Sequence, residues 1–173
     1  FVHEYAKLFT VAKDVKVQVS FNPEIIQAYR LIGYENRVLS EEDFENDSTD
    51  GGEIGAGQTI AALYEIVPQI DIASKQEPSF SIQFRYKKPA QNRSRALSLE
   101  IEDEGIAFEQ ASENHRWAAA VASFALVARN SSHKGTANFP MVINWMEQAL
   151  EFDPHGYRQG ALELAKEASR MYD

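Results

Sequence analysis

Alternating apolar and polar residues mark three strands in the first hundred positions. Apolar residues occupy every second position in segments 15–21, 80–86 and 97–101, a period typical of strands with one covered face. Turn-forming residues in 88–95 predict that the second and third strands form a hairpin. The side chains predicted to point inward are Val15, Val17, Val19, Phe80, Ile82, Phe84, Leu97, Leu99 and Ile101.

Two further segments, 25–34 and 59–67, are apolar on both faces. A strand covered on both sides has no face to present to water, so this pattern predicts two central strands. Together with the alternating segments they make five strands. The turn residues between them favour an antiparallel sandwich or a curled sheet.

After residue 105 the apolar period becomes helical and predicts three helices. Asn138 with Pro140, and Asp153 with Pro154, are typical of helix starts. The predicted buried residues are Trp117, Val121, Phe124, Ala125 and Ala128 in the first helix, Val142, Trp145, Met146 and Ala149 in the second, and Tyr157, Ala161, Leu164, Ala165 and Ala168 in the third.

The fold class expected from these elements is α+β. A small antiparallel β-sandwich-like unit over 9–104 is followed by a three-helix unit over 105–173 that is expected to pack on it. With 173 residues, 44% of them hydrophobic, the chain can bury a core without disulfides. It has no cysteine, which excludes thiol nucleophiles and cysteine-ligated zinc. Its longest apolar stretch, 118–127, is about half of what a membrane-spanning helix needs, so no spanning segment is expected.

The formal net charge of -9 comes from one acidic segment. Between residues 38 and 74 there are nine acidic residues and no lysine or arginine, which leaves 26 minus nine, or 17, acids against 17 bases elsewhere. Duplex nucleic acid needs a basic face, so this balance argues against nucleic acid as a partner.

The acidic loop 41–53 carries seven carboxylates and is a candidate calcium site, because calcium prefers oxygen ligands. An EF-hand alignment fails, since Ser48 stands where the turn needs glycine and Ile54 where the bidentate glutamate belongs. A solvated loop, with Ser40 and Asp43 forming a capping box, is the favoured interpretation. The candidate ligands of an irregular calcium site are Asp43, Glu45, Asp47, Asp50 and Glu53.

No motif supports catalysis or a cofactor. The glycine-rich run 52–59 has Gln58 where a phosphate-binding loop has lysine. The four histidines are far apart and share no metal-type spacing. We therefore predict no catalytic residue, no cofactor and no enzymatic activity.

A basic cluster begins within the alternating segment 80–86 and continues to residue 95. It is either a solvated hairpin or a docking point for an acidic surface, such as the acidic loop of a neighbouring copy or a preceding domain. Its members are Arg85, Lys87, Lys88, Arg93 and Arg95.

Three phrases of this sequence resemble a known family. They are KDVKVQVSFNP over 13–23, YRLIGYENR over 29–37 and GEIGAGQTIAALYEIVP over 52–68. Residues 117–135 and 153–167 resemble the helical tail of the same domain. The chain is similar to the uncharacterised C-terminal domain of bacterial envelope proteins, often lipoproteins, that carry a von Willebrand factor type A domain.

The resemblance implies export to the bacterial envelope or periplasm and a non-enzymatic role beside a type A domain in cis, with a protein ligand. It also implies that residues 1–8 are the end of that domain or a linker. Two alternatives are an independent ligand-binding domain with calcium in the acidic loop and an unrecognised envelope hydrolase. The apolar residues of positions 1–8 form a helical stripe that is too short to be stable by itself, so it needs a partner surface. These residues are therefore interaction candidates: Phe1, Val2, Tyr5 and Leu8.

Overall fold

The computed structural model describes residues 9–33, 38–69 and 77–172. The chain divides into two compact units, Phe1–Gly105 and Ile106–Asp173. The first contains β1 (Thr10–Phe21), β2 (Ile26–Ile32), α1 (Glu41–Glu45), β3 (Gly52–Gly55), β4 (Leu63–Pro68), β5 (Phe80–Lys87) and β6 (Ser94–Ile101). The second contains a 3-10 turn (Phe108–Gln110), α2 (Glu113–Ala128), α3 (Phe139–Glu147) and α4 (Tyr157–Tyr172).

The β unit has two antiparallel sheets. One has four strands in the order β3-β1-β5-β6, and the other pairs β2 with β4. The α+β fold class and the three alternating strands are confirmed, with β5 and β6 joined as a hairpin. One row of the apolar face runs across three strands, because Val17 on β1 pairs with Phe84 on β5, which pairs with Leu97 on β6.

The prediction that this apolar face points into a core was wrong in part. Val17 is 51% exposed, Leu97 59% and Leu99 55%, while their six companions are half-buried. An alternating pattern places residues on one side of a sheet but does not supply the layer that covers that side.

The segments 25–34 and 59–67 do form strands, but the prediction that these strands are central and covered on both faces was wrong. β2 and β4 form a separate two-stranded sheet, and Tyr29 and Val67 on them are exposed. Residues 59–62 precede β4, and Tyr34 lies outside the described residues. The sheets meet at one end, where the ring of Phe21 stacks on Tyr29 at 4.3 Å between centroids and lies 5.4 Å from Tyr64.

β3 was not predicted, because its four residues, two of them glycine, show no alternation of apolar and polar positions. It pairs irregularly with β1, beside a bulge where Asp14 has a positive φ of 49°. A Cβ on Gly51 would lie 2.7 Å from the carbonyl carbon of Asp14. Only glycine lets the two backbones approach this closely.

The helical unit has its own core, and the three predicted helices are confirmed. The Asn138 side chain accepts from the Met141 N–H at 2.9 Å, as an N-cap does. The core consists of Ala120, Val127, Phe139, Val142, Met146, Leu162 and Ala165. None of the described helices combines the length and apolarity needed to cross a membrane.

The predicted buried face of the third helix was partly wrong. Tyr157 is 79% exposed and Leu164 60%, whereas Leu162 is buried beside the correctly predicted Ala165. The apolar residues of α4 cover about half of the helix circumference, a stripe wider than the core can bury. Val121 and Ala125 of α2 are likewise exposed.

Candidate interaction surface

The acidic loop lies on the polar face of the four-stranded sheet, held by a buried lysine. Lys16 is 4% exposed, and its Nζ donates to the carbonyl oxygens of Asp43 at 2.7 Å and Asn46 at 2.6 Å. These carbonyls lie at the end of α1, where a cation is favourable. The Ser40 Oγ accepts from the Asp43 N–H at 3.1 Å, which confirms the predicted capping turn.

Asp47 fastens the other end of this loop to the β5-β6 hairpin. Its carboxylate pairs with Arg85 at 2.7 Å and accepts from the Ser94 hydroxyl at 2.5 Å, and its carbonyl accepts from Lys87 at 2.9 Å. The hydrogen bond from Ser94 is the main reason why the pKa of Asp47 is lowered, and the charge of Arg85 adds to it.

The predicted basic cluster therefore divides into two parts. Arg85 and Lys87 bind the chain's own acidic residues, since Lys87 also pairs with Asp14 at 2.6 Å and lowers the pKa of that carboxyl. Lys88, Arg93 and Arg95 are exposed. The acidic surface that meets the cluster comes from the same molecule, a pairing that the sequence analysis did not anticipate.

The calcium candidates do not converge in the described structure. The Asp43 carboxylate accepts from Thr49 and Ser40, which lower its pKa, and Asp47 is held by the hairpin. Glu53 accepts from Thr10 at 3.4 Å. Across residues 9–33, 38–69 and 77–172, no three histidine, aspartate or glutamate side chains are grouped as a metal site would require.

A shallow cleft of about 240 Å³ lies between α1 and the hairpin, lined by Phe44, Arg85, Ser94 and Arg95 among others. Ser94 is the one hydroxyl nucleophile on its described lining, and this hydroxyl already donates to Asp47. The carboxylate that holds Ser94 also pairs with Arg85, which makes it a weak base. The cleft therefore has the groups for polar contacts and lacks the arrangement that activates a nucleophile.

On the opposite face of the sheet, Val17, Leu97 and Leu99 form an exposed apolar patch, which we call the open strip. The end of the same face that contains Phe21 is covered by Tyr29 and Tyr64. The alternating pattern predicted that all three residues of the open strip belong to the core. Their alternation located the face correctly, but the small size of the second sheet could not be read from the pattern.

In the helical unit, Arg158 joins the starts of α2 and α4 to the segment that follows α3. The Arg158 guanidinium donates to Glu113 and to the carbonyl of Ala149, both at 2.8 Å, and lies 5.3 Å from the centre of the Trp117 ring. This arrangement is structural, since each contact joins elements of the unit. The N-terminal interaction candidates Phe1, Val2, Tyr5 and Leu8 lie outside the described residues.

Comparison with known proteins identifies the family. Residues 6–171 match the family described as "Uncharacterized protein YfbK, C-terminal". The chain belongs to this family. Over 182 aligned residues it is 33% identical to "Uncharacterized protein YfbK" of Escherichia coli (strain K12).

That alignment covers 96% of this chain and 31% of the Escherichia coli protein. The chain thus spans about a third of the length of this relative. No solved structure matches the chain.

Proposed function

We propose that this chain is a non-enzymatic interaction module that accompanies a von Willebrand factor type A domain in a bacterial envelope protein. The open strip is the observation that supports this function best. Its side chains lie on one sheet face, Val17 on β1 and Leu97 and Leu99 on β6, with the half-buried Phe84 of β5 between them. Each of the three is more than half exposed. Contiguous exposed apolar side chains are typical of a surface that another protein covers.

The type A domain in cis is the partner that we assign to the open strip. The matched region makes up 31% of the Escherichia coli relative, so more than two thirds of that protein lies outside it. A domain joined by the same polypeptide has a high effective concentration at the strip. A small apolar contact is then sufficient for stable docking.

The non-enzymatic part of the proposal rests on the cleft. Arg85 and Ser94 are committed to Asp47, and the pKa of Asp47 is lowered by those contacts. A general base works best with a pKa near the working pH, and this carboxyl is shifted away from it. The polar residues of the cleft therefore hold the acidic loop on the hairpin and do not form an acid-base pair.

The experiment compares the chain alone with a longer protein in which the type A domain is joined to it. Amide hydrogen exchange in β1 and β6 should slow when that domain is present. Val17→Lys should remove this protection, because a charge on the open strip must be desolvated for docking. Val17 lies on an inner strand, so its substitution leaves both sheet edges unchanged.

Ser20→Lys is the matched control, since Ser20 is an exposed residue on the opposite face of β1. It should leave the protection intact. Equal exchange with and without the type A domain, or equal loss of protection in both variants, would contradict the proposed docking.

A further inference from the structure

The two edges of the four-stranded sheet are built differently. β3 forms one edge with only four residues, and its register with β1 shifts twice. β6 forms the other edge with eight residues, each paired with β5 and with no irregularity. Short strands and bulges are the devices by which proteins prevent pairing at an edge. β3 has both of them, and β6 has neither.

The outer side of β6 is suited to receive another strand. Alternate residues of an edge strand direct their N–H and C=O groups away from the sheet. Within the described part of the chain, no strand pairs with this side of β6. Six of its eight residues are exposed, and it contains neither proline nor glycine.

The charges along β6 are separated into two ends. The basic residues Arg93 and Arg95 lie at its start, and acidic residues follow at its end. All of these side chains are exposed, and among the described residues none of them forms an ion pair. The acidic residues are Glu100, Glu102, Asp103 and Glu104.

We propose that two copies of this chain pair through β6 in antiparallel orientation, which joins their sheets into one. Antiparallel pairing about a twofold axis places the basic end of each β6 beside the acidic end of the other. Parallel pairing would place like charges together. The charge pattern therefore selects a second copy of the chain, in this orientation, as the occupant of the edge.

The side chains of the strand centre agree with this pairing. A register centred on Ser98 keeps the apolar faces of the two sheets on the same side. It places Leu97 of each copy opposite Leu99 of the other copy. This self-association uses the backbone edge, and it goes beyond the proposed function, which uses the sheet face.

The experiment measures the mass of the chain in solution by sedimentation equilibrium. The unmodified chain should reach the dimer mass at concentrations below about 0.1 mM. Two multiple variants test the charges: Arg93→Glu with Arg95→Glu, and Glu102→Lys with Asp103→Lys and Glu104→Lys, which makes the end of β6 net basic although Glu100 is kept. Each should weaken dimerisation about tenfold or more, because like charges then meet at both ends.

A one-to-one mixture of the two variants provides the decisive control. One variant is acidic at both ends of β6 and the other is basic at both ends, so the mixture should form a heterodimer. Circular dichroism of each variant checks that the fold is retained. The proposal is overturned if the unmodified chain is monomeric at about 0.1 mM, if both variants still dimerise as the unmodified chain does, or if folded variants do not associate when mixed.

Discussion

At the scale of single residues, the buried lysine on β1 holds the acidic loop on the β unit. Lys16 lies on the polar face of an alternating strand, a position that normally faces water. The acidic loop covers it, and two carbonyl oxygens replace the water that its ammonium group loses. Segment 38–74 contains no lysine or arginine, so the cations that hold the loop come from the strands β1 and β5.

Replacing Lys16 with methionine should destabilise the β unit. The carbonyls of Asp43 and Asn46 would lose their donor, and an unsatisfied buried polar group costs about 1–3 kcal/mol. The measurement is amide exchange of β1 and β5 in increasing urea. Lys88→Met changes an exposed lysine that directly follows β5 and should have little effect. Equal stability of the two variants would contradict the role assigned to Lys16.

The carboxyls that fasten the loop make its attachment dependent on pH. The pKa values of Asp14, Asp43 and Asp47 are lowered in the folded chain from the ordinary value of an aspartate, chiefly by hydrogen bonds from Lys87, Ser40 and Ser94, respectively. Because the pKa of each carboxyl is lower in the folded state than in the unfolded state, the unfolded state binds more protons than the folded state as the pH falls. The stabilisation is therefore fully present above the unfolded value and is lost as the pH falls through the folded values.

We expect loop amides to exchange increasingly fast, relative to their intrinsic rates, as the pH is lowered from about 5 to below 4. Asp47→Asn should remove part of this dependence, because the asparagine keeps its size but has no proton to gain in that range. Glu41→Gln is the control, since Glu41 is exposed in the same loop. An identical pH profile for Asp47→Asn and the unmodified chain would be the contrary result.

At the scale of elements, the close approach of β1 and β3 depends on the glycine before β3. Gly51 lies against the backbone of Asp14, which itself has a left-handed conformation. The contact fixes where the acidic loop ends and the sheet resumes. A sequence pattern shows the glycine but not the strand that it faces.

Gly51→Ala should destabilise the β unit by more than about 1 kcal/mol, because backbone atoms 2.7 Å from the new Cβ must move apart. Gly52→Ala is a matched control one residue away. Its Cβ would meet the Val15 oxygen at 3.7 Å, an ordinary contact. Urea unfolding followed by exchange of β1 amides measures both variants, and a smaller loss for Gly51→Ala than for Gly52→Ala would contradict the packing argument.

At the scale of the whole molecule, the described surfaces are divided by chemistry. The polar face of the large sheet is occupied by the chain's own acidic loop, whereas the open strip on its apolar face and, among the described residues, its β6 edge are uncovered. The local negative charge of the acidic loop is thus partly neutralised where Asp47 meets Arg85 and Lys87 of the sheet. This division assigns intermolecular contacts to the apolar face and the edge.

Calcium should have little effect on the thermal stability of this chain. Asp43 and Asp47, the central candidates in the loop, already bind Ser40, Thr49 and Arg85. A site saturated at a hundred times its dissociation constant would add about 2.7 kcal/mol, or several degrees in Tm. Millimolar calcium should leave the melting curve nearly unchanged. A rise of that size, abolished by Asp50→Asn, would contradict this expectation.

The sequence by itself determined the local structure of most elements. The alternation at 15–21, 80–86 and 97–101 requires strands with a defined register, since a slip of one residue would turn every apolar side chain over. The helix caps at Ser40 and Asn138 could likewise be predicted from the sequence, because each depends on two residues three positions apart.

Only the tertiary structure decided which apolar faces are covered and which charges meet. Val17, Leu97 and Leu99 alternate as core residues do, yet the small β2-β4 sheet covers only the far end of their face. Asp47 and Arg85 are 38 positions apart and meet because the loop folds back over the sheet. Periodicity reports the side on which a residue lies, whereas burial and pairing depend on segments distant in the chain.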